Sequence, residues 1–234
     1  MLTLRPSRTA LLLRKKFTMT DIKPTQTYSE LTELRTFMGN PSELAVKKSI
    51  TQLDKHCREF ISRSPFVCIG TTDGNGKADV SPKGDPAGFV QVLDDKTLFI
   101  PDRPGNNRID SMSNLLKDPA IALLFLIPGF DETLRVNGKG TVIRNQTLNA
   151  TSTVKGRSPK IGIKVQIETA FLHCAKALKR SHLWDPESIQ NRQEMPSLGR
   201  MIIEQTTPTG TKADPTDISD ADDRIQESIR SHLY

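Results

Sequence analysis

Apolar positions set the first landmarks along the chain. Val46, Ile50, Leu53, Cys57 and Phe60 recur at intervals of four and three, the spacing of one helical face, and the run stops before Ser64-Pro65. Ahead of it, Asn40-Pro41-Ser42-Glu43 reads as a helix start, with Asn as cap, Pro in the first turn and Glu three residues after the cap. The spacing therefore predicts one helix from there to Arg63, its apolar stripe laid against a core. Thr27 and Glu30 form a second capping box, for a short helix reaching Met38 and ended by Gly39.

After Pro65 the pattern changes period. Phe66-Val67-Cys68-Ile69-Gly70-Thr71-Thr72 is a β-branched and aromatic run, and Asp73-Gly74-Asn75-Gly76 behind it is a strong hairpin turn. Further strands are predicted at Phe89 to Leu93, Thr97 to Ile100, Ile121 to Ile127, Leu134 to Ile143 and Ile161 to Phe171, where Ile161, Ile163, Val165 and Ile167 alternate. Connections as short as Asp94-Asp95-Lys96 cannot hold a crossover helix, so the pairing is expected to be antiparallel and a barrel follows, since closure removes exposed edges. Ile109, Met112, Leu115 and Leu116 have helical spacing, stopped by Asp118-Pro119. The predicted class is mainly β (α+β), with helices at the start and a few at the periphery. Four segments result: a leader over 1–20, a helical segment over 21–64, a barrel over 65–206 and an acidic mobile tail over 207–234, in which Ile218 to Leu233 regains a helical turn or two.

The composition, 35% hydrophobic and 26% charged, is that of a globular chain, and no apolar run approaches the ~18 residues of a membrane helix. The net charge of +6 owes much to the first twenty residues, where Arg5, Arg8, Arg14, Lys15 and Lys16 face no acid. Aromatics make up only 5%, and no helix carries a continuous basic face, so a nucleic-acid partner is not expected. The Arg-rich leader fits an organelle transit peptide or, equally, sequence upstream of a start at Met19. Cys57, Cys68 and Cys174 are odd in number and far apart, and the four histidines lack ligand spacing, which points to a reducing, cytoplasmic setting without a metal.

The candidate chemistry lies just past two predicted strands. Asn106, Asn107 and Arg108 fall where a strand gives way to a helix, so that N–H groups and a guanidinium converge on one phosphate, with Arg103 as a second fork. The plainer reading leaves Arg103 and Arg108 as solvated loop cations and Asn106 as a cap. Ser81 and Lys83 close the second hairpin strand, and Pro82 confines that strand to an edge or a bend. A bend at Gly84 brings main chain close to a flat ligand, although Pro82 to Pro86 also reads as a simple turn. Asp79, Asp85, Asp131 and Glu132 receive no catalytic role, because their spacing does not make them converge.

Ala78-Asp79-Val80-Ser81-Pro82-Lys83-Gly84-Asp85-Pro86, Ile100-Pro101-Asp102-Arg103-Pro104-Gly105-Asn106-Asn107-Arg108, Asp131-Glu132-Thr133-Leu134-Arg135-Val136-Asn137-Gly138 and Phe171-Leu172-His173-Cys174-Ala175-Lys176-Ala177 together resemble the pyridoxamine 5′-phosphate oxidase-like, FMN-binding split-barrel family, in particular its uncharacterised bacterial flavoproteins. The resemblance spans roughly Tyr28 to Thr206. It implies a six-stranded antiparallel Greek-key split β-barrel that forms a homodimer, with FMN in two grooves at the subunit interface and a small-molecule substrate. By position, Arg103, Asn107 and Arg108 match the family's phosphate clamp. Ser81, Lys83 and Gly84 correspond to the strand beside the flavin ring, while Thr133 and Arg135 begin a strand that contacts it from the partner subunit. The chain lacks the Arg and His closely spaced after a Trp that mark true pyridoxamine phosphate oxidases, which sets vitamin B6 oxidation aside. Cys174, Lys176 and Trp184 are candidates for the substrate side of the flavin; the plainer readings make Cys174 a small buried hydrophobe and Trp184 a packing residue. An FMN-dependent oxidoreductase is the expectation, and a non-catalytic module holding flavin or another planar ligand such as haem is the alternative.

Overall fold

The computed structural model describes residues 26–234, so the leader and the question of Met19 lie outside the described residues. The described residues divide into two units, one ending at Glu43 and the other Leu44–Tyr234. In the first, α1 (Leu31–Met38) ends at Gly39, whose φ of +78° favours glycine. Glu30 caps this helix without a side-chain bond, so the expected capping box does not form. The rings of Tyr28 and Phe37 lie 5.8 Å apart.

The long helix expected from Asn40 to Arg63 is two helices, α2 (Glu43–Lys47) and α3 (Lys55–Arg63). Between them Ile50 leaves helical geometry and exchanges both backbone hydrogen bonds with Ala170, its N–H donating over 2.9 Å and its carbonyl accepting over 2.8 Å. Asp54 then starts the second helix by accepting the Cys57 N–H at 2.8 Å. Leu53, Cys57, Phe60 and Ile61 are buried, whereas Val46, ahead of the break, is exposed.

Seven strands follow: β1 (Phe66–Thr72), β2 (Ala78–Gly84), β3 (Gln91–Asp94), β4 (Thr97–Pro101), β5 (Ala120–Leu126), β6 (Thr133–Ile143) and β7 (Gly162–His173). The order across the sheet is β2-β1-β5-β6-β7-β4-β3, every pair antiparallel. The mainly β, α+β class holds, with two differences. There are seven strands instead of six, and no pairing among the described residues joins the edges β2 and β3, so the sheet is not closed. Pro82 sits on the edge strand β2, opposite Cys68, where its missing N–H breaks no inner ladder. The β6–β7 register shifts between Asn137 and Gly138, and a Cβ at Gly138 would collide with the Gln166 carbonyl, so only glycine permits this bend.

The core is the inner face of the sheet. Val67, Ile69, Leu98, Ile100, Leu123, Phe125, Leu134, Val136, Ile163 and Val165 are almost wholly buried, with α3 and Leu115 covering them. Alternation in β7 is as read, except that Ile161 precedes the strand. Helix α4 (Asp110–Leu115) buries Met112 and Leu115, but Ile109 is 60% exposed, at φ +51°, and is not part of the stripe. Asn106 does not cap α4; its Oδ1 accepts the Arg108 N–H at 3.1 Å. Helix α5 (Gln146–Thr151) lies before β7, and α6 (Lys176–Ser181) after it.

The segment after 206 carries more helix than the turn or two expected of it. After α7 (Leu198–Thr206), α8 runs from Pro215 to Ser231, capped by Asp214, which accepts the Thr216 N–H at 2.8 Å. Asp222 of α8 accepts the Gly199 N–H at 2.9 Å and ties the two helices together. Among the described residues no helix is long and apolar enough to cross a membrane.

Candidate functional site

A cavity of about 690 Å³ lies among β2, the loop from Asp102 to Asp110, the start of α4 and the Arg157–Ile161 stretch that leads into β7. A smaller one of about 340 Å³ shares Ser81, Lys83 and Arg103 with it and extends to Gly84 and Phe89. Ser81, Lys83, Gly84, Arg103, Asn107 and Arg108, picked from separate stretches of sequence, all line one or the other.

The chain reaches this shape because β4 is pinned where it ends: the Asp102 N–H donates to the Ile161 carbonyl over 3.1 Å, which holds the loop against the entry to β7. Pro104 and Gly105 then release the backbone, and both Asn107 (φ +57°) and Ile109 (φ +51°) adopt left-handed conformations. Asn tolerates this region; a β-branched Ile there is strained, a feature that clusters at ligand-holding loops.

Five cations and three carboxylates line the larger cavity: Lys83, Arg103, Arg108, Arg157 and Lys160 against Asp79, Asp102 and Asp110. The excess is positive, as an anionic ligand requires. Lys83 Nζ lies 2.7 Å from Asp102 Oδ1, with both side chains mostly buried. Arg103 is more enclosed: Nε donates to Asp85 Oδ2 at 2.6 Å and one terminal nitrogen donates to the Ser152 carbonyl at 2.6 Å. Arg108 is 71% exposed and donates from Nε to Asp110 at 2.7 Å, a contact that raises its already high pKa. Ser111 donates weakly to Asp79 at 3.4 Å.

Thr133, Arg135, Cys174, Lys176 and Trp184 do not line this cavity. Thr133 is buried at the start of β6, and the Arg135 guanidinium lies 5.1 Å from the Phe171 ring centre. Cys174 is exposed rather than buried, and Trp184 donates its indole N–H to the Phe130 carbonyl at 2.8 Å. Sequence reasoning missed Arg157, Lys160 and Tyr234. The basic Lys155-Gly156-Arg157 run ahead of an alternating strand was the available signal for the first two. Nothing local marked Tyr234, which arrives at the cavity only through the placement of α8.

Residues 53–174, a little over half of the chain, match the family model of pyridoxamine 5′-phosphate oxidase. No curated protein matches. Among solved structures, HupZ of Group A Streptococcus is similar at 15% identity, with 51% of this chain and 93% of that chain covered and a TM-score of 0.44. A putative pyridoxamine 5′-phosphate oxidase of Lactobacillus delbrueckii shares 19% identity over 52% of this chain and 99% of its own, with a TM-score of 0.40. HutZ of Vibrio cholerae, a haem storage protein, shares 11% over 52% and 94%, with a TM-score of 0.36.

Proposed function

The chain belongs to the pyridoxamine 5′-phosphate oxidase family, and on that premise we propose that it is an FMN-dependent oxidoreductase acting on a small molecule. The observation that carries this reading is the cavity of about 690 Å³ between the edge strand and the Asp102–Asp110 loop, with its excess of cations. Its size falls within the range of small-molecule sites. The donor set fits a phosphomonoester: Arg108 and Asn107 on the loop, with Arg157 and Lys160 facing them from the other wall, offer N–H groups to an anion. Lys83 and Arg103 act one step behind, since their carboxylate pairs are mostly buried and fix the walls, whereas the Arg108–Asp110 pair is exposed and can be exchanged for an anion. The backbone from Ser81 to Gly84, on an edge strand interrupted by Pro82, leaves main-chain groups free to meet the rim of a flat ring.

Bound FMN supplies hydride or electron transfer, and the chain's part is to hold and orient it. The second contribution to the site is assigned to a partner subunit, which supplies Thr133 and Arg135 to the flavin and Cys174, Lys176 and Trp184 to the substrate side. Purified protein is expected to be yellow and to quench added FMN fluorescence at micromolar concentration. A colourless protein that quenches nothing overturns the reading. Bound flavin that neither NADH, NADPH nor a panel of small donors reduces leaves a flavin-binding module without turnover.

A further inference from the structure

One aromatic side chain reaches the cavity from a segment outside the sheet. Helix α8 delivers Tyr234 to the cavity wall, where the Arg103 guanidinium carbon and Lys155 Nζ each lie 5.4 Å from its ring centre. Both distances are within cation–π range. Arg157, a cation of the same wall, donates to a main-chain oxygen of Tyr234 and, over 3.3 Å, to the carbonyl of Ser231. The phenol's pKa is pushed up, first by desolvation and then by the charge of Asp85. Asp85 itself is 1% exposed, and its Oδ1 is buried with no hydrogen-bond partner. Two cations of the cavity wall, Arg103 and Arg157, thus have contacts with this segment, and Lys155 beside them a third.

We propose that the segment following α8 is an intramolecular plug, in which Tyr234 covers Arg103 and draws Arg157 away, so that a ligand enters only when the segment is displaced. The proposal rests on the flavin reading for its ligand but concerns the regulation of the site. Its energetics follow from population: a plug docked about nine-tenths of the time weakens apparent affinity about tenfold. Helix α8 is amphipathic, packs on α7 through the Asp222–Gly199 bond and contributes no residue to the apolar core, so displacing the plug does not require that core to open.

The test compares the full chain with Tyr234→Ala, a change outside the apolar core. The variant is expected to bind FMN about tenfold more tightly by fluorescence quenching. Without any flavin, its amides over 152–160 are expected to exchange hydrogen faster than those of the parent protein, because the ring no longer packs under Lys155 and the shortened residue holds the segment at Arg157 only through main-chain oxygens. Equal or weaker FMN binding by the variant overturns the plug and leaves the flavin site standing. If neither protein takes up FMN, the flavin reading falls and the exchange comparison decides the plug alone: unchanged protection over 152–160 overturns it, and faster exchange supports it.

Discussion

Arg103 and Asp85 form the most enclosed of the described ion pairs, with side-chain exposures of 14% and 1%. Removing the guanidinium would strand a buried carboxylate that already has one oxygen without a partner. Arg103→Ala is therefore expected to cost about 3 to 5 kcal/mol in urea unfolding. Lys83 and Asp102 are each 23% exposed, so Lys83→Ala should cost only about 1 kcal/mol. Arg108 reaches into solvent, and Arg108→Ala should leave stability within about 0.5 kcal/mol while weakening FMN binding by about 1.5 to 3 kcal/mol. Equal losses of stability in all three variants would refute this division of labour among the cations. Cysteines separate by the same logic of enclosure. Burial pushes the Cys57 thiol up to about 12, whereas Cys174 is exposed. A thiol reagent at neutral pH should modify Cys174 in the native protein and reach Cys57 only on unfolding; labelling followed by peptide mass mapping reads this directly.

At the scale of elements, after Ile50 has left the helix to pair with Ala170, α3 starts where it is capped by Asp54. Its carboxylate accepts the Cys57 N–H, and that bond holds the carboxyl below its ordinary pKa despite the opposing desolvation. A depressed carboxyl stabilises the fold above the ordinary value of about 4, and the contribution is lost as pH falls through the lower, folded value. Asp54→Ala should thus cost about 1 kcal/mol at neutral pH, and parent and variant should converge in strongly acidic urea titrations. A constant gap down to acid pH would assign the loss to something other than the charged cap. This element also shows where reading the chain reaches its limit. Strands were legible because alternation and the Asp73-Gly74-Asn75-Gly76 turn are local; Asp73 indeed accepts the N–H groups of Asn75 and Lys77. The break after Lys47 was not, because Ile50 obeys a partner, Ala170, far along the chain. The prolines, glycine and acids after Thr206 predict only a helical turn or two within a mobile tail, yet α8 is 17 residues long, with its acids concentrated toward the N-terminal half and Arg224 and Arg230 toward the other end, the arrangement the helix dipole favours. Likewise the cations of the site could be named from the chain, but not that Asp85 and Asp102 would engage two of them, since those pairs join segments 18 and 19 residues apart through the sheet.

At the scale of the molecule, the cavity uses only part of what the family resemblance assigns to the site. Five of the named residues line it and Gly84 lines the smaller cavity beside it, whereas Thr133 and Arg135 at the start of β6, and Cys174, Lys176 and Trp184 beyond β7, lie elsewhere on the same subunit. Thr133 and Arg135 cannot cross to the cavity without unpairing β6 from β7, because Thr133 is in register with His173 and Arg135 with Phe171. If both groups serve one flavin, they must come from two copies, and a symmetric pair would build two such sites. Cofactor affinity and assembly are then linked: FMN should favour the dimer, and dilution below the dimer dissociation constant should weaken FMN binding. Light scattering is expected to give twice the 26.1 kDa chain mass, with one FMN per chain. Arg135→Glu, on the half supplied by the partner, should weaken FMN binding while leaving the unfolding midpoint of the diluted chain nearly unchanged. A monomer that binds FMN at full affinity, or an Arg135→Glu protein that binds it as the parent does, would place the whole site within one subunit and remove the partner's share.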